Sequence, residues 1–296
     1  MSQASTYPLG TSGTALGVDA GGIVKRFALR RLLAADLTLY VSTAGSDSTG
    51  DGLTSGTAWA TPQTAYNYVC SALDLGGHTV TIQLADGTYA PASGVPVLGV
   101  TQPWTGGGTI QITGNTTTPA NVKLNATNAS VINNNGAVLP GVIAIQGVQF
   151  NIAGNNYVAS IFNGGQGAPI QINGPVDFGA SWFAHIWSAP GNIKIGASYT
   201  ISGNAKYHYL ADAQGNVTAD GSSVTISGSM TFDYFASAQN LGIMQALNVT
   251  FTIASGGSVT SARYLVGNYG IIRTNYSGEP YFPGSSAGVN NGGIYA

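Results

Sequence analysis

The chain has 296 residues, and its 9 basic and 11 acidic side chains make up only 7% of it, whereas a soluble domain has about 25%. A net charge of −2 provides no basic surface for nucleic acid or for an anionic membrane, so neither is an expected partner. Glu279 is the only glutamate. Because glutamate, lysine and arginine cover most helix surfaces, a helix bundle is disfavoured and an all-β fold is expected.

Neither a disulfide framework nor a membrane anchor is expected. The sequence holds one cysteine, Cys70, which excludes an intramolecular disulfide and a multi-cysteine metal site. No apolar core follows a basic start at the N-terminus, and apolar stretches end well short of the ~18 residues of a membrane span. We therefore expect a buried thiol, no signal peptide, no membrane span and no cofactor. We expect the protein to leave the cell as part of a particle or by lysis.

Residues 1–36 differ in charge from everything that follows. Four of the nine basic residues fall within seven positions, with Phe27 between them, a spacing that fits a short amphipathic helix. We expect an extended N-terminal attachment segment; the alternative is a flexible leader whose charges only keep it solvated. The residues expected to make the attachment are Lys25, Arg26, Phe27, Arg30 and Arg31.

Residues 37–90 predict a strand, a turn-rich loop, a helix and a second strand. The sequence LTLYV alternates apolar and polar positions, as a half-buried strand does. Thr61 is a typical N-cap, Pro62 suits the first helical position, and Gly76–Gly77 mark the expected helix end. The aspartates of the loop GSDSTGDG lack the pattern of a calcium loop, so they are expected to form turns.

Beyond residue 90, short β-patterns recur at intervals of 22 to 35 residues with no long helix between them. This interval predicts a solenoid whose coils stack on one another. Like charges stacked about 4.8 Å apart repel each other, so such a fold also explains the scarcity of charge. The other fold considered, a β-sandwich, needs more two-residue turns than the sequence offers. The predicted strands centre on Ile110, Ile145, Ile170, Ile193, Val224, Val249 and Ile271.

Residues 40 to 90 resemble a known protein family. The segment YVSTAGSDSTGDGLTSGTAWATPQTAYNYV, with the later VTIQLADGTY, is similar to the opening of right-handed parallel β-helix proteins of the pectin-lyase-like superfamily. The likeness is greatest to tail fibres, tailspikes and head spikes of phages and prophages. The match covers about fifty of the 296 residues. It is carried by Tyr40, Gly45, Ser46, Asp47, Asp51, Gly52, Thr61, Ala65, Ile82, Asp86, Gly87 and Tyr89.

The resemblance implies a right-handed parallel β-helix with an N-terminal capping helix, and by analogy a homotrimer attached to other virion proteins through its N-terminal segment. The expected units are residues 1–36 for virion attachment, 37–90 for the opening cap, 91–275 for the β-helix, and 276–296 for a C-terminal tail with a trimer contact. The expected location is the virion of a phage or phage-like particle made in the bacterial cytoplasm.

Few residues are suited to catalysis. Enzymes of the resembled family cleave polysaccharides with carboxylate pairs or calcium-binding aspartates. Here Asp212 and Asp233 lie 21 residues apart, close to one coil, and are weak candidates for such a pair; the alternative is that both are turn residues. The histidines show no metal-ligand spacing and are expected to face solvent or an interface.

Aromatic residues recur at the coil interval in the second half of the chain. Stacked along one side of the solenoid they predict either a ridge that binds glycans or a contact between subunits of a trimer, because large apolar patches are rarely left exposed. Since consecutive residues of a strand face opposite sides, some of them are expected in the core. The candidates are Trp182, Phe183, His185, Trp187, Tyr207, His208, Tyr209 and Tyr234, with Phe232, Phe235, Tyr264 and Tyr269 continuing the series.

These observations favour a structural and adhesive virion protein, a trimeric β-helical fibre or spike that contacts host cell-surface polysaccharide. The first alternative is a depolymerase, glycosidase or lyase, that acts on capsule or lipopolysaccharide. The second is a decoration or baseplate component without a ligand. Whether the location is the tail or the head does not follow from the sequence.

Overall fold

A computed structural model describes residues 14–18, 24–28 and 30–296. It confirms the all-β prediction and the stacked parallel coils, since 45% of the chain is strand, 7% is helix, and the coils form a β-solenoid of about eight turns. Each coil contributes to three parallel sheets in the same order, which we call sheet 1, sheet 2 and sheet 3.

The three sheets contain the following strands. Sheet 1 consists of Leu37–Val41, Thr79–Leu84, Thr109–Thr113, Val142–Gln146, Ile170–Ile172, Asn192–Ile195, Asn216–Ala219, Ile243–Gln245, Ile271–Arg273 and Ile294–Tyr295. Sheet 2 consists of Gly87–Tyr89, Val122–Thr127, Gln149–Ala153, Asp177–Phe178, Tyr199–Ile201, Ser223–Ile226 and Thr250–Ile253. Sheet 3 consists of Leu98–Gly99, Ile132–Asn134, Ala159–Asn163, Ala184–Ser188, Tyr207–Ala211, Ser229–Ala238, Ser258–Gly267 and Val289–Asn291.

The core is a set of apolar rows that run along the solenoid. In sheet 1, Ile110, Ile143, Ile170 and Ile193 occupy one register position in four successive coils, and all four are buried. Branched side chains stacked in this way pack flat against each other, and burying each one fully contributes about 1.5–3 kcal/mol. The rows therefore hold the coils in register.

The strand predictions are confirmed, but the predicted series mixes two sheets. Most of the predicted centres lie in sheet 1, whereas Val224 lies in sheet 2 and Val249 directly precedes a sheet 2 strand. The sheet 1 partners of those coils are Val217 and Met244. The uneven spacing in the sequence thus reflects a change from one side of the solenoid to another as well as differences in loop length.

A glycine precedes most sheet 1 strands because the chain there passes close to the coil before it. A Cβ atom on Gly215 would lie 2.0 Å from the carbonyl oxygen of Ser188, and one on Gly242 would lie 2.3 Å from that of Ala211. Real side chains do not approach backbone atoms so closely. The turn from sheet 3 to sheet 1 therefore requires glycine, which explains part of the high glycine content.

The predicted helix is confirmed at Pro62–Ala72, with the Thr61 hydroxyl accepting a hydrogen bond from the Thr64 amide. It ends earlier than expected, because Leu73–Asp74 forms a short parallel pair with Arg31–Leu32. Among the residues it buries is Cys70, whose thiol is free and fully covered. The helix thus covers the open end of the first coil.

The loop aspartates serve the backbone, as predicted. The Asp47 carboxylate accepts hydrogen bonds from the Ala60 amide at 2.8 Å and from the Thr61 hydroxyl at 2.8 Å. Asp51 accepts from the Leu53 amide at 2.9 Å, and Gly52 has a φ of 69°, in the left-handed region that favours glycine. Both carboxylates are used in turns that lead to the helix.

The expected helix in the N-terminal segment is not present. Thr14–Val18 and Val24–Ala28 form an antiparallel pair, so Lys25, Arg26 and Phe27 lie on a strand, and their side chains are outside the described part of the chain. A weakly periodic stretch of this length is equally compatible with a strand. The Arg30 guanidinium donates to the carbonyl of Cys70 at 3.1 Å, which ties this end to the helix. The attachment role of Arg30 and Arg31 stays a prediction.

The C-terminal residues complete the solenoid. Val289–Asn291 adds the last strand to sheet 3 and Ile294–Tyr295 the last strand to sheet 1. Before them, Phe282 is 1% exposed and packs against Phe235 and Phe251. Residues 276–296 are therefore a final coil and its cover, and their expected contact in a trimer stays a prediction.

Candidate functional site

The outer side of sheet 3 carries a row of residues that the parallel register places side by side. Gly99, Asn133, Phe162, Trp187 and Leu210 occupy one position in five successive coils. The Phe162 and Trp187 rings lie 4.7 Å apart. Strand spacing of about 4.8 Å brings such side chains into contact, although they are far apart in sequence.

Further aromatic rings extend this row into a patch. Phe183 packs edge to face against Trp187 at 5.1 Å and against Tyr207 at 5.3 Å. Tyr157 reaches the same Phe183 ring at 5.0 Å, and Tyr207 stacks on Tyr234 at 6.0 Å. Phe183 belongs to a small apolar cluster that is separate from the main core. We call Tyr157, Phe162, Trp182, Phe183, Trp187, Tyr207 and Tyr234 the outer aromatic cluster.

Exposure within the outer aromatic cluster is uneven. Tyr157 is 71% and Trp182 45% exposed, whereas Phe183 is only 9% exposed. The ammonium of Lys206 lies 5.2 Å from the centre of the Trp182 ring, a cation–π contact that occupies this ring. The members of the cluster that line a depression in the surface are Tyr157, Phe162 and Trp187.

Two open depressions lie along the same face. The first has a volume of about 300 Å³ and is lined by Tyr157, Phe162 and Trp187 together with amide and hydroxyl side chains. The second, of about 510 Å³, lies toward the N-terminal coils. Both are lined by Pro96, Asn133 and Asn135, so they adjoin each other, and we call the two together the sheet 3 groove.

Three polar atoms of groove residues have no hydrogen-bond partner within the part of the chain that the structure describes. These are Oδ1 of Asn128, Oδ1 of Asn133 and Nε1 of Trp187. Buried polar atoms are paired in most proteins, and each exception needs a reason. All three atoms are shielded from solvent, so a ligand hydroxyl reaches them only after the side chain rotates. The two amide oxygens offer acceptors and the indole nitrogen offers a donor.

Three residues predicted for the aromatic surface lie inside the solenoid. His185, His208 and Tyr209 are fully buried, and both histidine rings pack against Phe178 of sheet 2. The expectation of solvent-facing or interface histidines at these two positions is therefore wrong. With no exposed surface, His185, His208 and Tyr209 are not available to a glycan or to another subunit.

The buried histidines belong to a continuous hydrogen-bonded chain. His185 Nε2 contacts the Gly179 carbonyl at 2.9 Å, His185 Nδ1 contacts His208 Nδ1 at 3.0 Å, and His208 Nε2 contacts the Tyr199 hydroxyl at 2.7 Å. The Tyr199 hydroxyl also bonds that of Tyr209. Since a carbonyl only accepts, His185 carries its proton on Nε2, and His208 then donates from Nδ1 and accepts at Nε2. Every group is satisfied with both rings neutral.

Burial controls the titration of the side chains in this hydrogen-bonded chain. It lowers the pKa of His185 to about 3, and it lowers the pKa of His208 well below its usual value, with a further contribution from His185. Burial also raises the pKa of the Tyr199 and Tyr209 hydroxyls. Charging any member would place an ion in a low-dielectric interior. The remaining histidine, His78, is partly exposed and lies 3.4 Å from Asp36.

The carboxylates proposed as a catalytic pair are not brought together. Asp233 lies beside Lys206 in the next coil, since its amide donates to the Lys206 carbonyl at 2.9 Å. Asp212 is six residues further along that strand, roughly 20 Å away at 3.3 Å per residue. Glycosidase carboxyls are about 5–9.5 Å apart. Asp212 Oδ1 instead accepts hydrogen bonds from the Ala213 amide and the Asn240 side chain, which fits the turn interpretation.

The sequence prediction missed the N-terminal half of the surface. Phe162 lies 25 residues before Trp187 and is its register partner, and Asn133 lies one coil earlier. The coil interval applied backwards from Trp187 identifies Phe162. No comparable signal marks Tyr157, because it lies in the loop before its strand and only its contact with Phe183 places it here.

The part of the chain that the structure describes offers neither a cluster of metal-binding side chains nor a membrane-spanning helix. Within residues 14–18, 24–28 and 30–296, no group of three histidine, cysteine, aspartate or glutamate side chains is suited to hold a metal ion. Among the helices of those residues, none has the length and apolar character needed to cross a membrane.

Comparisons with protein-family models, with curated proteins and with solved structures found no match. The fold therefore rests on the structure itself.

Proposed function

We propose that this protein is a structural and adhesive component of a phage or phage-like particle, a homotrimeric β-helical fibre or spike whose sheet 3 contacts host cell-surface polysaccharide. The observation that carries the adhesive role is the row of Asn133, Phe162 and Trp187 along the groove. The particle context and the N-terminal attachment rest on the resemblance of residues 40 to 90.

The chemistry of the groove fits a sugar. Pyranose rings have C–H faces that pack on aromatic rings, and hydroxyls at their edges that need donors and acceptors. Tyr157, Phe162 and Trp187 provide such rings, and Asn133 and Asn135 provide amides beside them. A rigid sheet holds this arrangement, so little conformational entropy is lost on binding.

Adhesion is favoured over depolymerisation by the placement of the carboxylates. Asp212 and Asp233 are separated along sheet 3, and neither lines the groove. A decoration or baseplate protein without a ligand is the remaining alternative. It predicts that changes in the groove leave adsorption to host cells unchanged, which separates it from the adhesive role.

The Tyr157→Ala variant is expected to bind polysaccharide at least tenfold more weakly than the wild type, a loss of about 1.4 kcal/mol. Tyr157 is 71% exposed, so its removal costs little fold stability. Trp187→Phe keeps an aromatic ring in place but removes the Nε1 donor and part of the stacking surface of the indole, and a smaller loss is expected. Binding of the full chain to an array of purified bacterial surface polysaccharides measures both effects.

The matched control is Tyr276→Ala. Tyr276 is 86% exposed and lies outside the groove, so its removal should leave binding unchanged. Equal binding by all four proteins would contradict a glycan site on sheet 3. New reducing ends released from a bound polysaccharide would support the depolymerase instead.

A homotrimer is expected in solution. Light scattering should give a mass of about three times the 30.0 kDa of one chain at micromolar concentration. A monomer would contradict the proposed assembly. If Tyr157→Ala lowers the mass as well as the binding, the outer aromatic cluster is a subunit interface and not a ligand surface.

A further inference from the structure

From the composition and extent of the sheet 3 groove, we infer that it selects an uncharged oligosaccharide of more than one sugar unit, lying across the strands along the solenoid axis. This inference rests on the proposed function, and it adds the charge class and the orientation of the ligand. Acidic polysaccharides, a second copy of the chain and a protein partner are the occupants it excludes.

The extent of the groove follows from the register. Its floor runs from Gly99 through Asn133 and Phe162 to Trp187, which is three strand spacings, or about 14 Å. Such a span exceeds a single pyranose ring. Because the two depressions share Asn133 and Asn135, one chain of linked sugars can occupy both without a break.

The orientation follows from where the rings are. Tyr157, Phe162 and Trp187 all lie at the C-terminal end of the groove. None of the described residues that line the second depression is aromatic; they include Pro96, Val100 and Thr101. One sugar therefore stacks on the rings, and the next sugars extend toward the N-terminal coils over amide, hydroxyl and small apolar groups.

The charge class follows from the lining residues. No lysine, arginine, aspartate or glutamate is among the described side chains that line either depression. Sites for acidic sugars need cationic side chains. A sugar carboxylate that loses its water without gaining a cationic partner is strongly destabilised. The nearest cation of the aromatic cluster, Lys206, is held over the Trp182 ring. A neutral sugar is therefore the ligand with the smallest desolvation cost on entering the groove.

The test uses an array of purified bacterial O-antigen and capsular polysaccharides, divided into neutral and acidic polymers, with the full chain as the probe. We expect binding to neutral polymers, and we expect the dissociation constant to change less than twofold between 50 and 500 mM NaCl. Asn133→Ala should weaken this binding about tenfold, while Asn275→Ala, at an exposed turn outside the groove, should not. Fragments of the bound polymer should bind more tightly as they lengthen from one to four sugar units.

The outcomes separate the two proposals. Binding to acidic polymers that weakens steeply with salt would overturn the neutral ligand and leave the adhesive function standing. A single sugar that binds as tightly as a tetramer would overturn the extended groove alone. Binding to no polymer would overturn both. A change in mass on Asn133→Ala would show that a second copy of the chain occupies the groove.

Discussion

Acidification below pH 6.5 is expected to destabilise this protein steeply, because two buried histidines are neutral in the folded state. His185 and His208 are buried and neutral, and burial lowers both pKa values, that of His185 to about 3. In the unfolded chain each histidine titrates near 6.5. Between these values the unfolded state binds more protons than the folded state, so the free energy of unfolding falls as the pH falls. Above pH 6.5 these two histidines do not make the free energy of unfolding depend on pH.

The free energy of unfolding is expected to fall by up to about 1.4 kcal/mol per pH unit for each of the two histidines. Between pH 6.5 and 4.5 the two together lower it by about 5 kcal/mol. Urea unfolding at half-unit steps from pH 7.5 to 5 measures it in a range where ordinary aspartates stay ionised. The His185→Gln/His208→Gln double variant should show a flatter profile. His78→Gln is the matched control, since His78 is partly exposed and lies outside the buried hydrogen-bonded chain.

A flat stability profile from pH 6.5 to 5 in the wild-type protein would show that the histidines are charged or accessible in the folded state. That result would contradict the neutral hydrogen-bonded chain from Gly179 to Tyr209. If the double variant fails to fold, the comparison of wild type with His78→Gln still decides the question.

Gly215→Ala is expected to cost about 3 kcal/mol or more of unfolding free energy. The new Cβ atom would lie 2.0 Å from the Ser188 carbonyl oxygen. That oxygen cannot easily move, because it accepts a hydrogen bond from the Asp212 amide at 2.9 Å. Relief therefore requires a shift of one coil against the next, which disturbs the apolar rows on both sides.

Gly56→Ala provides the matched control. The nearest atom to a Cβ at Gly56 is the Thr54 hydroxyl oxygen at 3.8 Å, so a change within about 0.5 kcal/mol is expected. Thermal or urea unfolding of both variants gives the comparison. Equal stability of Gly215→Ala and Gly56→Ala would mean that the turns from sheet 3 to sheet 1 are loose enough to accept a methyl group.

Much of the fold could be predicted because its signals are local or periodic. The helix begins where Thr61 and Pro62 indicate, since an N-cap acts on residues next to it. The strands around Ile110, Ile170 and Ile193 recur because each coil must return to the same side. The helix ends before the glycines that predict its end, because Leu73–Asp74 pairs with Arg31–Leu32, a contact between distant residues that no local signal reports.

The aromatic surface was only half predictable because strict alternation fails in sheet 3. Trp187 and His185 are two residues apart and should share a face of a regular strand, yet Trp187 lines the groove and His185 lies in the core. The same holds for Tyr207 and Tyr209. Counting by twos from either residue therefore assigns the other to the wrong side.

Composition and the spacing of the β-patterns are sufficient to identify the class of the molecule. Scarce charge, recurrent β-patterns and frequent glycine permit stacked parallel coils and exclude a helical bundle, because these properties depend only on composition and spacing. Tertiary structure decided which aromatic rings are offered to a ligand, where Tyr157 and Asn133 join them, and that the two histidines are held neutral inside. Those outcomes depend on the register between coils and on local bends of the strands, which arise from contacts between residues 23 to 29 positions apart.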